Sequence, residues 1–247
     1  MREFNPPFDM IRNIGSSCME DFKSIGIQYM KHFIEFNCLT PSSKVLDLGC
    51  GVGRLAIPMT NYITDGSYDG IDIDDNAIKW CQDNITPEFS NFNFKVSEVD
   101  SGLYNSRFKI PANEYKLPYN DNEFDFIFLI SVFTHMKLVD IELYLSEITR
   151  VLKPNGICFI TYFLLNNESL QLIKNKKSTL KFIYQIDGGL TMDRIVIGAA
   201  CAYPEEDITS MYVENRLIPT HPIYYGLWSG REGSFEYQDI IIAKKTI

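Results

Sequence analysis

Between Lys44 and Tyr162 the chain alternates short apolar runs with stretches that keep apolar residues three and four apart. Short runs bounded by turn residues read as strands, and the longer 3.6-residue period reads as helices. On that basis strands are expected at Lys44–Leu48, Tyr68–Ile73, Phe92–Val99, Phe124–Ile130 and Ile157–Tyr162. Helices are expected at 54–63, at Asn76–Asn84, and where Leu138, Ile141, Leu145, Ile148 and Leu152 share one face before Pro154-Asn155-Gly156. Upstream, Phe22, Ile25, Tyr29, Phe33 and Phe36 predict an amphipathic helix over 19–36. Downstream, 163–200 fits the alternation poorly. It is followed by a helical pattern at 204–216 and strand-like runs at 217–225 and 237–244.

Strands alternating with helices predict an α/β domain with a parallel sheet. The near-continuous apolar run from Phe124 suits a central strand buried on both faces. We expect one domain over 1–247, made of an N-terminal helical segment (1–40), a ligand-binding core (41–162), an insertion acting as a lid (163–200), and a C-terminal helix with strands (201–247).

Composition narrows the function. Lys and Arg number 23 against 32 Asp and Glu, for a net charge of −9. That balance disfavours a protein built to neutralise a phosphate backbone, and no N-P-P-[YF] motif for a flipped base is present. The longest apolar run, Phe126–Ile130, is too short to cross a bilayer. The N-terminus has no signal-peptide pattern, so a cytoplasmic location is expected. The six cysteines form no C-x-x-C pair, which points to free thiols and to no metal site.

The chemistry concentrates in Val45-Leu46-Asp47-Leu48-Gly49-Cys50-Gly51-Val52-Gly53, a strand leading into G-x-G-x-G. Glycines there let backbone approach a ligand and take positive φ. The spacing differs from the G-x-G-x-x-G dinucleotide fingerprint and from the P-loop, which argues against an NAD-binding oxidoreductase. Asp72 lies 19 residues beyond Gly53, at the end of the next strand, where a carboxylate can take both hydroxyls of a ribose.

These residues resemble the class I S-adenosylmethionine-dependent methyltransferases. Asp47-Leu48-Gly49-Cys50-Gly51-Val52-Gly53-Arg54 is similar to that family's first motif, Gly70-Ile71-Asp72 to its second, and Phe124–Ser131 to its fourth. Arg150-Val151-Leu152-Lys153-Pro154-Asn155-Gly156-Ile157 also matches. The likeness implies a Rossmann-like, doubly wound, mostly parallel seven-stranded sheet with an antiparallel C-terminal strand. It implies S-adenosylmethionine as cofactor and S-adenosylhomocysteine as product, held by Asp47, Gly49, Cys50, Gly51, Gly53, Asp72, Ile73, Glu98, Val99 and Ser131. Glu98 stands where Asp is commoner. Arg54 would meet the methionyl carboxylate or face solvent. Further segments, including Ser131–Met136 and Tyr225-Gly226-Leu227-Trp228-Ser229-Gly230-Arg231, resemble bacterial members associated with carbohydrate or capsule assembly. That implies O-methylation of a sugar hydroxyl. The alternatives are an N- or carboxyl acceptor on another metabolite, or an inactive cofactor-binding module.

On the acceptor side His135, five residues past the apolar run, is the candidate base. Its alternative is a loop histidine satisfied by backbone. Tyr104, Tyr162, His221, Tyr225 and Trp228 are candidate substrate contacts, with the aromatics either walling a sugar ring or packing in the core. His32 on the first helix reads as structural. Lys174, Lys176, Lys177 and Lys181 read as a solvated face or as phosphate contacts. The expected partner is a small molecule or carbohydrate, with no nucleic acid and no membrane span. The oligomeric state is open.

Overall fold

The structure, a computed structural model, describes residues 3–100, 110–111, 115–196 and 199–246. Contacts divide the chain into two units, Met1–Ile110 with Phe124–Ile127, and Pro111–Glu123 with Phe128–Ile247.

The first unit begins with α1 (Phe8–Asn13) and α2 (Met19–Glu35). The sequence period missed α1, whose six residues are too few to show one. In α2 the predicted stripe buries Phe22, Tyr29 and Phe33. Gly26 lies on the same face, where a Cβ would come within 2.2 Å of the Arg54 carbonyl oxygen, so only glycine permits this approach. Strands β1 (Lys44–Leu48), β2 (Ser67–Asp72) and β3 (Phe92–Val96) run parallel in the registers Val45↔Tyr68 and Tyr68↔Phe92. The strand expected to reach Val99 breaks at Ser97, whose N–H turns to the Asp72 carbonyl at 2.7 Å. Beyond the break, β4 (Val99–Asp100) pairs with β5 (Ile110–Pro111). The helix expected over 54–63 shortens to α3 (Ala56–Met59). Left-handed residues hold the chain out of a helix through Gly53. At the far end the Thr60 hydroxyl bonds back to the Ile57 carbonyl, competing with continuation. Helix α4 (Asp75–Asn84) starts on an Asp74 side chain that accepts from the Asn76 and Ala77 N–H groups, the preferred N-cap arrangement.

Strand β6 (Phe124–Leu129) is the predicted central run. In the second unit, α5 (Leu138–Val151) buries Ile141, Leu145 and Ile148, and β7 (Leu152–Tyr162) follows directly. The region 163–200, left without elements by its pattern, supplies most of a small sheet in the order β8-β11-β10-β9, from Leu164–Leu165, Cys201–Pro204, Gly189–Thr191 and Tyr184–Ile186. It also holds α6 (Asn167–Lys174), opened by a capping box on Asn166 and Ser169. Then come α7 (Glu205–Glu214), β12 (Leu217–Pro219) and β13 (Asp239–Lys245). Strand β13 is antiparallel to both β7 and β12. The large sheet has seven strands in the order β12-β13-β7-β6-β1-β2-β3 and is mostly parallel, as the fold class requires. Among the described residues no helix is long and apolar enough to cross a membrane.

Candidate functional site

The glycine turn leaves β1 with φ +88° at Gly49, +51° at Gly51 and +81° at Gly53. Protein atoms brace it from several sides. The Gly51 N–H donates to Asp72 Oδ2 at 2.7 Å, and the Gly51 carbonyl receives the Cys81 thiol at 3.8 Å. A Cβ on Gly51 would lie 2.9 Å from an Ile14 methyl, so glycine is required both by φ and by space. The Gly49 and Cys50 N–H groups donate to the Ile71 carbonyl, tying the turn to β2. The Cys50 side chain is buried against Gly70, so any contribution from Cys50 to a ligand is through backbone.

Three predicted cofactor side chains have partners within the protein. Asp47 is 2% exposed and accepts a hydrogen bond from the Tyr68 hydroxyl. Burial pushes its carboxyl up to about 8, with the Asp72 charge adding to the rise. It braces the strand end from within. Asp72 uses both oxygens on backbone, Oδ2 for Gly51 and Oδ1 for the Asp74 N–H at 2.9 Å. Burial raises its pKa against those two bonds. Arg54 neither faces solvent nor stands free: Nη1 donates to the Ile14 carbonyl at 2.9 Å and to Ser16 Oγ at 3.3 Å. Its Nε–H is buried without an acceptor. Ile73 is half-buried and Glu98 exposed. Tyr104 lies outside the described residues, as does the side chain of Val99.

In the second unit Ser131 follows β6 with φ +61°, strained for a residue with a side chain. Two bonds hold it there. Its N–H donates to Thr161 Oγ1 at 2.8 Å, and its hydroxyl to Gln238 Oε1 at 3.0 Å. Neither Thr161 nor Gln238 emerged from the sequence. The signal was topological: the final antiparallel strand begins at the rim where β7 ends, as Asp239 opposite Tyr162 shows. That rim is where open α/β sheets bind ligands.

Two members of the expected aromatic wall must be withdrawn. Tyr162 is buried, its hydroxyl 2.9 Å from that of Tyr212. Trp228 is 0% exposed, packed edge-on against Phe163 and Phe182, with Nε1 donating to Asp239 Oδ2 at 2.8 Å. Asp239 also accepts from the Leu164 N–H at 2.6 Å and the Gly226 N–H at 2.7 Å. Burial pushes its carboxyl up to about 6 against those three bonds. The motif around Trp228 is thus a buried clamp, because a carboxylate with three N–H donors fixes three chain segments at once. Tyr225 is half-buried. Its hydroxyl donates to Glu205, and Arg231 covers one ring face at 4.1 Å. His135 ends a 3₁₀ turn (Phe133–His135) and is half-buried. His221 sits 3.0 Å from Thr220 Oγ1 through Nδ1. His32 lies on α2, its ring near Tyr29 and Phe36. The four lysines from 174 to 181 are all exposed. Among the described residues no group of His, Cys, Asp or Glu is arranged to hold a metal ion.

A family model described as a methyltransferase domain matches residues 39–216, well over half of the chain. The chain belongs to that methyltransferase family. Among curated relatives, this methyltransferase is 30% identical over 148 residues to a ubiquinone/menaquinone biosynthesis C-methyltransferase UbiE from Shewanella sp. (strain W3-18-1). That match covers 59% of the chain and 53% of the relative, so the chain spans about half the length of the curated relatives it matches. Among solved structures it is similar to a SAM-dependent methyltransferase from Methanosarcina mazei (21% identity, TM-score 0.59, 87% and 97% of the two chains). It is also similar to magnesium protoporphyrin IX methyltransferase from Synechocystis PCC 6803 with bound S-adenosylhomocysteine (15%, 0.58, 97% and 94%). S-adenosylmethionine is the cofactor named for the first of these structures, and its product S-adenosylhomocysteine is bound in the second. The residues present suit S-adenosylmethionine: an exposed Gly49 opens the turn of left-handed glycines, and a buried Arg54 N–H still lacks the acceptor that a carboxylate would provide.

Proposed function

We propose that this methyltransferase moves the methyl group of S-adenosylmethionine to a small-molecule acceptor. The observation that carries the reading is the braced glycine turn within a family match spanning 39–216. Bound there, the cofactor supplies an already activated sulfonium methyl, which leaves the chain to bind, orient and exclude water. In this reading Gly49, Gly51 and Gly53 lie against the cofactor, Asp72 and Glu98 take its ribose and adenine ends, and Ser131 is a further candidate contact. His135 accepts the proton of the acceptor, and residues 163–200 choose the acceptor. His221 and Tyr225 are the remaining candidate contacts.

For the acceptor, the Ser131–Met136 and Tyr225–Arg231 segments favour a sugar hydroxyl, although the burial of Tyr162 and Trp228 removes part of the stacking surface that reading expected. The relative that methylates carbon in quinone biosynthesis favours a hydroquinone ring carbon as the second reading. Incubation with deuteromethyl-labelled cofactor and a panel of nucleotide sugars, hydroquinones and amino acids, followed by mass spectrometry with and without EDTA, separates them. Label on a sugar oxygen supports the first, and label only on a ring carbon overturns it. Failure of the purified chain to bind S-adenosylhomocysteine overturns the whole reading.

A further inference from the structure

Arg54 was expected to reach either a ligand or water, yet one nitrogen of its guanidinium holds the N-terminal segment. Nη1 holds the carbonyl of Ile14 and the hydroxyl of Ser16. Ser16 is itself buried, and its N–H donates to Ile11 at the end of α1. Ile14 in turn fills the space that a side chain on Gly51 would need. Ile11 is buried with Phe22, Val52 and Ala77, and Val52 is the residue between the second and third glycines of the turn. The stretch from Phe8 to Ser16 therefore meets the cofactor loop at two adjacent residues and is fastened to it by a third.

We propose that residues 8–16 are a working part of the cofactor site, and that Arg54 is the positioning residue that couples them to the glycine turn. The inference rests on that turn holding S-adenosylmethionine. Its physical basis is that the turn, with left-handed glycines at 49, 51 and 53, lies outside the helices and strands. Its geometry depends on what packs against it, and the Ile14 methyl and the Asp72 carboxylate press on the same residue from different directions. When the cofactor occupies the turn, the turn is fixed and the strap is held against it. When the strap is released, the turn loses one of its walls and cofactor escapes faster. Binding at one end must then protect the other, because coupling between two equilibria is reciprocal.

The test uses the full chain with S-adenosylhomocysteine as probe, reading affinity by calorimetry, dissociation by stopped flow, and amide exchange of peptides covering 8–17 and 138–151. In the wild type, the probe should slow exchange over 8–17 and leave the α5 peptide unchanged. Arg54→Met should raise the dissociation constant about tenfold or more, chiefly through faster dissociation, and should abolish the protection of 8–17. Arg54→Lys, which keeps one cationic donor for the Ile14 carbonyl, should recover most of both. Ile14→Ala has no charge to lose and should weaken binding by several-fold. If Arg54→Met does not fold, Ile14→Ala and Ser16→Ala decide the matter alone. Exchange over 8–17 that ignores the probe, with Ile14→Ala binding within twofold of wild type, overturns the proposal and leaves Arg54 as a direct ligand. Failure of wild type to bind the probe would instead overturn the cofactor assignment.

Discussion

Replacing Asp72 by Ala tests whether this carboxylate builds the glycine turn before it binds anything. Its oxygens accept from the Gly51 N–H at 2.7 Å and the Asp74 N–H at 2.9 Å, one at the glycine turn and one at the start of α4. A hydrogen bond to a charged group is worth about 1.5–3 kcal/mol. Asp72 is half-buried, so water recovers part of what the two N–H groups lose. The net loss should be about 2–3 kcal/mol of stability in the absence of cofactor. For a chain of this size that corresponds to about 4–12 °C in melting temperature. Asp72→Asn keeps one acceptor but turns an amide donor toward the other N–H, so it should lose at least half as much. Calorimetry should show S-adenosylhomocysteine binding weakened about 10- to 150-fold in Asp72→Ala if the same carboxylate also takes the ribose. An apo melting temperature within about 2 °C of wild type would refute the bracing role. A large thermal loss with unchanged affinity would confine Asp72 to bracing.

Three other perturbations follow from the same contacts. Asp239→Ala strands three N–H donors around a fully buried site and should cost about 3–5 kcal/mol in urea unfolding; a loss under about 1 kcal/mol would show that the clamp at Trp228 is dispensable. Asp47 has its carboxyl pushed from 3.8 to about 8, so its contribution is fully present below pH 4 and is lost as pH rises toward 8. The melting temperature should therefore fall between pH 5 and 8, and Asp47→Asn should flatten that fall; an equal slope in the variant rejects the shift. Once an acceptor is in hand, His135→Ala should lower kcat by about 10²–10⁴ and leave S-adenosylhomocysteine affinity unchanged. A rate within about threefold of wild type would remove His135 as the base and make His221 the next residue to vary.

The strands of the large sheet were readable because a strand buried on both faces must be apolar along its length, as β6 is from Phe124 to Leu129. The small sheet was not, because strands of two to four residues are too short to show a period. The glycine turn was readable since left-handed backbone selects glycine, but the same positive φ at Ser131 left no such mark. Its conformation is held by Thr161 and by Gln238, which are 30 and 107 residues away. Aromatic residues misled for a related reason. Tyr162 and Trp228 carry the chemistry of a sugar-stacking wall, and nothing in their local sequence says which way a ring faces. Orientation was decided by polar partners reached through the fold, the Tyr212 hydroxyl for one and the Asp239 carboxylate for the other. Arg54 shows the same limit within a recognisable motif. Its position beside Gly53 was visible in the chain, whereas its partners, 38 and 40 residues upstream, were not. A motif of this kind specifies where backbone must be bare for a ligand. The side chains that keep it in that shape are supplied from distant segments, so Ile14 and Gln238 had to be found in the structure.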